Sequence, residues 1–221
     1  MAAAGLVAVD RDHVLAALER AVAEPAPYPY WLLSDVFDPA TCDAIATLPF
    51  APAGVRETYG KRDSHNESRV YFDAANRARF GVCARVAEAM QDPEVVAAVE
   101  RRCGVDLRGT NLRIEYTQDI DGFWLEPHTD IGVKKFTMLV YLSRDPRLVD
   151  CGTDIYDAGK TLVRRAPYVF GAGLIFIPGS DTWHGFARRP IPGVRKSLII
   201  NYVGPEWRAR HELAFSDRPV G

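Results

Sequence analysis

The chain has 221 residues, 48% hydrophobic and 25% charged, proportions that support one buried core and exclude a disordered, collagen-like or coiled-coil protein. Its 27 Lys and Arg against 29 Asp and Glu give a formal net charge of −2, so no basic field exists to hold nucleic acid by counterion release. No run approaches the roughly 20 apolar residues that span a bilayer, and Met1 to Val9 lacks the basic start of a signal peptide, so a soluble, cytoplasmic protein with no membrane partner is expected.

The first hundred residues read as mainly helical. Val14, Leu15, Leu18 and Val22 recur at helical spacing and predict a helix over 12–23 that stops at Glu24-Pro25-Ala26-Pro27. Residues 30–33 read as a short strand. Asp38-Pro39 then opens a helix to about residue 48, with Asp as N-cap and Pro in the first turn. A polar segment, 54–68, precedes a strand over 69–72, and apolar residues at three- and four-residue intervals predict helices over 75–90 and 93–102. The polar residues Asn66 and Arg69 stand where a loop could fold over a pocket mouth, although a solvated loop is the simpler expectation.

Beyond Cys103 the pattern changes to short apolar runs, 112–116, 136–142, 174–177 and 198–203, separated by Gly, Pro and Asp turn signals. Short strands without intervening helices argue an antiparallel sandwich or jelly roll, buttressed on one face by the N-terminal helices. No linker composition interrupts the chain. A single domain over 1–221 is expected, with 1–104 as helical buttress and substrate-side elements and 105–205 as the catalytic core. Cys42, Cys83, Cys103 and Cys151 have neither zinc-ribbon nor C-x-x-C spacing and read as reduced, structural thiols.

The chemistry concentrates in Glu126-Pro127-His128-Thr129-Asp130 and in Asp181-Thr182-Trp183-His184-Gly185. Residues i and i+2 on a strand share a face, so His128 and Asp130 can present a nitrogen and an oxygen to one point. His184, 56 residues later, offers a third ligand. Two His and one carboxylate with open positions opposite is the arrangement of non-haem Fe(II) oxygenases. Arg195, 11 residues after His184, opens an apolar strand; inside a barrel it would need an anionic partner, which the carboxylate of a dicarboxylic co-substrate would supply. Ser197 falls on the same strand face. Phe123 and Trp124 are candidate pocket walls, with ordinary core packing equally compatible.

On these pieces, the H-x-D of His128 and Asp130, the strand ending Tyr141-Leu142, the distal His184, and the R-x-S of Arg195 and Ser197, the chain resembles the Fe(II)- and 2-oxoglutarate-dependent oxygenase superfamily over about residues 105–205. The resemblance implies an α+β fold with a double-stranded β-helix core, jelly-roll and cupin-like. It implies iron on His128, Asp130 and His184, the distal carboxylate of 2-oxoglutarate on Arg195, and Tyr116 and Tyr141 near the co-substrate. Family members that halogenate lack the carboxylate that Asp130 supplies, so oxygen chemistry is expected. The stretch Asp150-Cys151-Gly152-Thr153-Asp154-Ile155-Tyr156 stands where the prolyl-hydroxylase-like branch carries Gly-Gly-Glu, and that branch's protein-proline substrate is therefore not carried over.

The function expected is a dioxygenase that uses Fe(II), 2-oxoglutarate and O2 to hydroxylate or otherwise oxidise an organic substrate, releasing succinate and CO2. A small molecule is the first expectation for that substrate, ahead of a glycan unit or a peptide side chain. The rivals are a cupin-like metal-binding isomerase or sensor without oxygenase activity, and a non-catalytic binding module without metal.

Overall fold

The computed structural model describes residues 2–52, 54, 60, 61 and 69–221. Helix α1 (Ala2–Arg20) starts ten residues before the helix expected over 12–23, because Ala2, Ala3 and Ala4 carry high intrinsic helix propensity, and it ends before the strand β1 (Val22–Glu24). Strand β2 (Tyr30–Leu33) pairs antiparallel with β1. Helix α2 (Pro39–Ala46) is capped by Asp38, whose Oδ1 accepts from the backbone N–H of Ala40 at 2.9 Å and of Thr41 at 3.3 Å. Strand β3 is Val70–Tyr71.

The helix expected over 75–90 is two, α3 (Ala74–Arg79) and α4 (Gly81–Gln91), separated by Phe80 in an extended conformation. The apolar spacing continues across that break, which is why it leaves no mark on the periodicity. Helix α5 (Pro93–Cys103) has Asp92 as N-cap and ends at Gly104, whose φ of 67° is the left-handed C-terminal stop.

The second half supplies β4 (Asn111–Asp119), β5 (Leu125–His128), β6 (Lys134–Tyr141), β7 (Asp154–Tyr156), β8 (Leu162–Arg165), β9 (Gly173–Phe176), β10 (His184–Phe186) and β11 (Arg195–Val203). They form a jelly-roll core of two antiparallel sheets, one in the order β1-β2-β9-β6-β11-β4-β3, the other β5-β10-β7-β8. The core is therefore not confined to residues 105–205: β1, β2 and β3, from the first hundred residues, complete the larger sheet.

Side-chain alternation divides the larger sheet between two hydrophobic layers. Leu112, Ile114, Tyr116, Met138, Val140, Leu198, Ile200 and Tyr202 pack with the helices. Tyr30, Leu139, Tyr141, Leu174, Phe176 and Ile199 pack toward the smaller sheet, with Ile155 and Phe186. Asp10 of α1 is fully buried and accepts from Thr41 Oγ1 at 2.6 Å and Arg85 Nε at 3.3 Å, tying α1 to α2 and α4. The four cysteines carry no disulfide, and no described helix is long and apolar enough to cross a membrane.

Candidate active site

Strand β11 lies between β4 and β6, and its register with β4 places Arg195 opposite Asp119, Ser197 opposite Thr117, Ile199 opposite Glu115 and Asn201 opposite Arg113. Paired residues on antiparallel strands share a face. These positions therefore face the space between the sheets, while their neighbours Tyr116, Leu198, Ile200 and Tyr202 face the helices. A polar stripe inside an otherwise apolar barrel is costly unless each group finds a partner, so its residues mark a site.

His128 ends β5 and His184 begins β10, and the two are cross-strand partners with ring centroids 4.4 Å apart. His128 Nδ1 lies 2.9 Å from the carbonyl oxygen of Glu126, and His184 Nδ1 lies 3.0 Å from that of Thr182. A carbonyl only accepts, so Nδ1 carries a hydrogen on both rings, which leaves Nε2 as the nitrogen that could bind a metal. Burial pushes the His184 pKa down to about 4, against the attraction of Asp130, and keeps the ring neutral.

Asp130 sits just beyond β5. Its Oδ1 accepts from Lys134 Nζ at 2.6 Å and its Oδ2 from Thr137 Oγ1 at 2.7 Å. Burial works to raise its pKa, but Lys134, then His184 and the two hydrogen bonds, outweigh it and hold the carboxyl below the usual range. Among the described residues no three His, Cys, Asp or Glu side chains are disposed to close around one ion, and Asp130 is engaged by Lys134 and Thr137. The donor set nonetheless suits a divalent transition metal: two imidazole lone pairs, one ionised carboxylate and no thiolate, with a cation already drawn to that carboxylate.

One cavity is lined by His128, Asp130, His184, Arg195 and Ser197 together, with Thr153, Phe123, Phe186 and Ile199 completing its wall. The structure thus brings five of the seven expected site residues to one space. Arg195 is buried at the inner end, and its anionic partner comes from the chain itself: Nη1 donates to Asp119 Oδ2 at 2.5 Å and Nε to the Cys151 carbonyl at 2.6 Å. The partner expected from the sequence is a co-substrate carboxylate; in the structure Asp119 fills that role. Ser197 Oγ is buried with no hydrogen-bond partner among the described residues. An orphaned hydroxyl beside a guanidinium suits a carboxylate ligand.

The two tyrosines part company. Tyr141, opposite Ser197 in the register, donates to Thr153 Oγ1 at 3.0 Å and accepts from the Thr153 N–H at 3.2 Å, so it stands one layer behind the cavity and fixes a residue that lines it. Tyr116 is not brought to the cavity. It occupies an even position of β4, packs with the helices, and its hydroxyl lies 3.4 Å from the Ala46 carbonyl oxygen.

A second cavity of about 320 Å³ adjoins the first, sharing His128, Asp130, Lys134 and Ile199 with it and opening past Arg69, Arg113, Glu115 and Trp207. Arg113 donates through Nε to Glu212 at 2.6 Å and through Nη2 to Glu115 at 2.9 Å. Arg69 lies 3.5 Å from Glu115, on the wall of this cavity; Asn66 falls outside the described residues. Phe123 lines the inner cavity and meets Phe186 with centroids 5.8 Å apart, whereas the Trp124 ring lies under the guanidinium of Arg188 at 4.2 Å and against Gly60, behind the wall of the outer cavity.

Sequence reasoning missed Asp119, Lys134, Thr137, Thr153, Arg113 and Glu115. For Arg113 and Glu115 a signal was available: they alternate with Leu112, Ile114 and Tyr116 along one strand, which puts both charges on one face.

No family model matches the chain, and no curated protein sequence matches it. Its structure is similar to a prolyl-4-hydroxylase of Pseudomonas putida, with TM-score 0.57 and 15% identity over 86% of this chain and 94% of that one. It is similar to a viral collagen prolyl hydroxylase from Paramecium Bursaria Chlorella virus-1, solved as its 2OG complex, with TM-score 0.52 and 12% identity over 79% and 96% of the two chains. The non-heme alpha-ketoglutarate-dependent epimerase SnoN from nogalamycin biosynthesis is similar too, with TM-score 0.50 and 16% identity over 88% and 82%. With its jelly-roll core and the position of the cavity between the sheets, the chain has the fold of the Fe(II)- and 2-oxoglutarate-dependent oxygenase superfamily.

Proposed function

We propose that this protein is an Fe(II)- and 2-oxoglutarate-dependent dioxygenase that oxidises a small organic molecule, with hydroxylation as the expected outcome. The observation that carries the reading is the meeting of His128, Asp130, His184, Arg195 and the unpartnered Ser197 hydroxyl in one cavity.

When bound, iron supplies the centre at which O2 is activated as 2-oxoglutarate is converted to succinate and CO2. The remaining work belongs to the chain. His128 and His184, their rings aimed by backbone carbonyls, would hold the metal through Nε2, and Asp130 would supply the carboxylate oxygen. Arg195 and Ser197 receive the distal carboxylate. Leu139, Phe186 and Ile199 pack the methylene chain and keep water out of the inner cavity. The outer cavity, at the small end of the range for ligand pockets, admits the prime substrate from the side of Asp130 and Lys134. Its charged wall of Arg69, Arg113 and Glu115 favours a polar small molecule over an apolar one.

The test is anaerobic titration of the protein with Fe(II) and 2-oxoglutarate. A visible charge-transfer band that saturates at one equivalent, followed by succinate release on admitting O2, is the expected result. Tight metal binding with no such band would sink the reading in favour of a cupin-like metal protein without oxygenase activity.

A further inference from the structure

Arg195 is held as a buried ion pair inside the very cavity where, on the oxygenase reading above, it meets an incoming dianion. Asp119 takes Nη1 at 2.5 Å and the Cys151 carbonyl takes Nε at 2.6 Å, while Nη2 makes no hydrogen bond among the described residues. Asp119 and Arg195 are directly opposite each other in the β4–β11 register, as the terminal pair of a continuous nine-residue ladder. Around the guanidinium lie the Phe186 ring at 4.7 Å and the Tyr168 ring at 6.0 Å, neither of them an anion. The neighbouring Arg189 is claimed by Asp154, at 2.6 Å, and does not compensate Asp119.

Two consequences follow from charge and geometry. Of the five N–H donors of the guanidinium, one on Nη1 and the one on Nε are already given to Asp119 and Cys151, so an incoming carboxylate shares the group with acceptors of the protein. A distal carboxylate arriving at Nη2 and Ser197 Oγ also approaches a guanidinium whose charge is already neutralised, with the Asp119 carboxylate on its far side.

We infer that Asp119 is a specificity-determining residue that competes with the distal carboxylate of the co-substrate for Arg195, so that the protein grips that carboxylate weakly. The inference rests on the oxygenase reading for the identity of the co-substrate, but its physical content is the competition of two carboxylates for one guanidinium. In the absence of ligand, Asp119 stabilises the buried Arg195. On binding, the ligand must share the guanidinium with Asp119 or displace it.

The variant that tests this is Asp119→Asn, which keeps an oxygen for Nη1 and removes the charge. Binding is measured by calorimetry with Mn(II) present for 2-oxoglutarate, and without metal for glutarate, which has the distal carboxylate but cannot chelate. Asp119→Asn is expected to tighten both ligands by about tenfold, the effect of removing one like charge at contact range, and its melting temperature, lowered without ligand, is expected to recover in saturating 2-oxoglutarate. A role in merely holding Arg195 in place predicts the reverse, weaker binding. Unchanged or weakened affinity for both ligands overturns the inference. Tightened glutarate with no 2-oxoglutarate chelation keeps the competition and removes the oxygenase reading instead. Should the variant fail to fold, the wild type still decides: it should prefer 2-oxoglutarate over its distal amide, 2-oxoglutaramate, by less than about tenfold, and a preference above a hundredfold would show an undivided arginine.

Discussion

His184 is held between two rings: His128, its partner across the β5–β10 pair, and Phe176 on the facing sheet, each with its centroid 4.4 Å away. The ligand is thus fixed by packing on both sides before any metal arrives, and its neutral form is enforced by burial.

His128→Ala, Asp130→Ala and His184→Ala should each lower Fe(II)-dependent succinate release by roughly a hundredfold or more, because ligands that act as a unit fail together. Circular dichroism should show the sheets intact for His128→Ala. Asp130→Ala removes the anionic partner of Lys134, so it should also cost stability, by about 1–3 kcal/mol for the stranded ammonium. Wild-type turnover in any one variant would remove that residue from the site.

Arg195→Ala should raise the 2-oxoglutarate KM and also lower the melting temperature, because it leaves Asp119 buried without a cation. Arg195→Lys keeps the charge beside Asp119 and loses the planar shape, so it should restore stability more fully than KM. Steady-state kinetics and thermal unfolding of the two variants check this. Unaltered KM in Arg195→Ala would place the co-substrate elsewhere.

Tyr116→Phe and Tyr141→Phe should separate cleanly. Among the described residues the Tyr116 hydroxyl hydrogen-bonds the Ala46 carbonyl on the helix side, so its loss should leave the co-substrate KM within about twofold and cost at most about 1 kcal/mol of stability. Loss of the Tyr141 hydroxyl frees Thr153 in the cavity wall and should raise that KM about three- to tenfold, through positioning. A larger kinetic effect from Tyr116 than from Tyr141 would invert the side assignment of β4.

The thiols should be chemically quiet. Burial pushes Cys42, Cys83 and Cys103 up to about 12 and raises Cys151 as well, so at pH 8 each is held as the unreactive neutral thiol. A disulfide-exchange reagent should modify all four quickly in denaturant and none at a comparable rate in the folded protein. Rapid stoichiometric labelling of native protein would contradict this.

Much of this was legible in the sequence, and what escaped did so for identifiable reasons. The strand over 30–33 and the Asp38 and Gly104 helix boundaries are short-range features set by propensity and capping, and they lie where the residues indicate. The ligand spacing and the Arg195-Ser197 pair are likewise local. Strands β7 and β8 went unseen because three- and four-residue strands with exposed Leu162 and Val163 carry no period. Tyr116 was misplaced for a different reason: adjacency to the site in sequence says nothing about side, and on a strand one residue decides it. Asp119 and Lys134 became visible only through pairings across β4–β11 and with Asp130, contacts that long-range register creates.

The alternation along β4 and β11 also separates two kinds of evolutionary freedom. Thr117, Asp119, Ser197 and Ile199 touch the space between the sheets, while Ile114, Leu198 and Ile200 touch the helices, and the two sets share a backbone but no cavity. A lineage could therefore exchange the interior set, and with it the molecules accepted, without disturbing the layer that keeps the protein folded. The same backbone sets the limit of that freedom: an insertion of a single residue in β11 would turn Lys196 and Leu198 inward and Arg195 and Ser197 toward the helices, losing chemistry and core in one step.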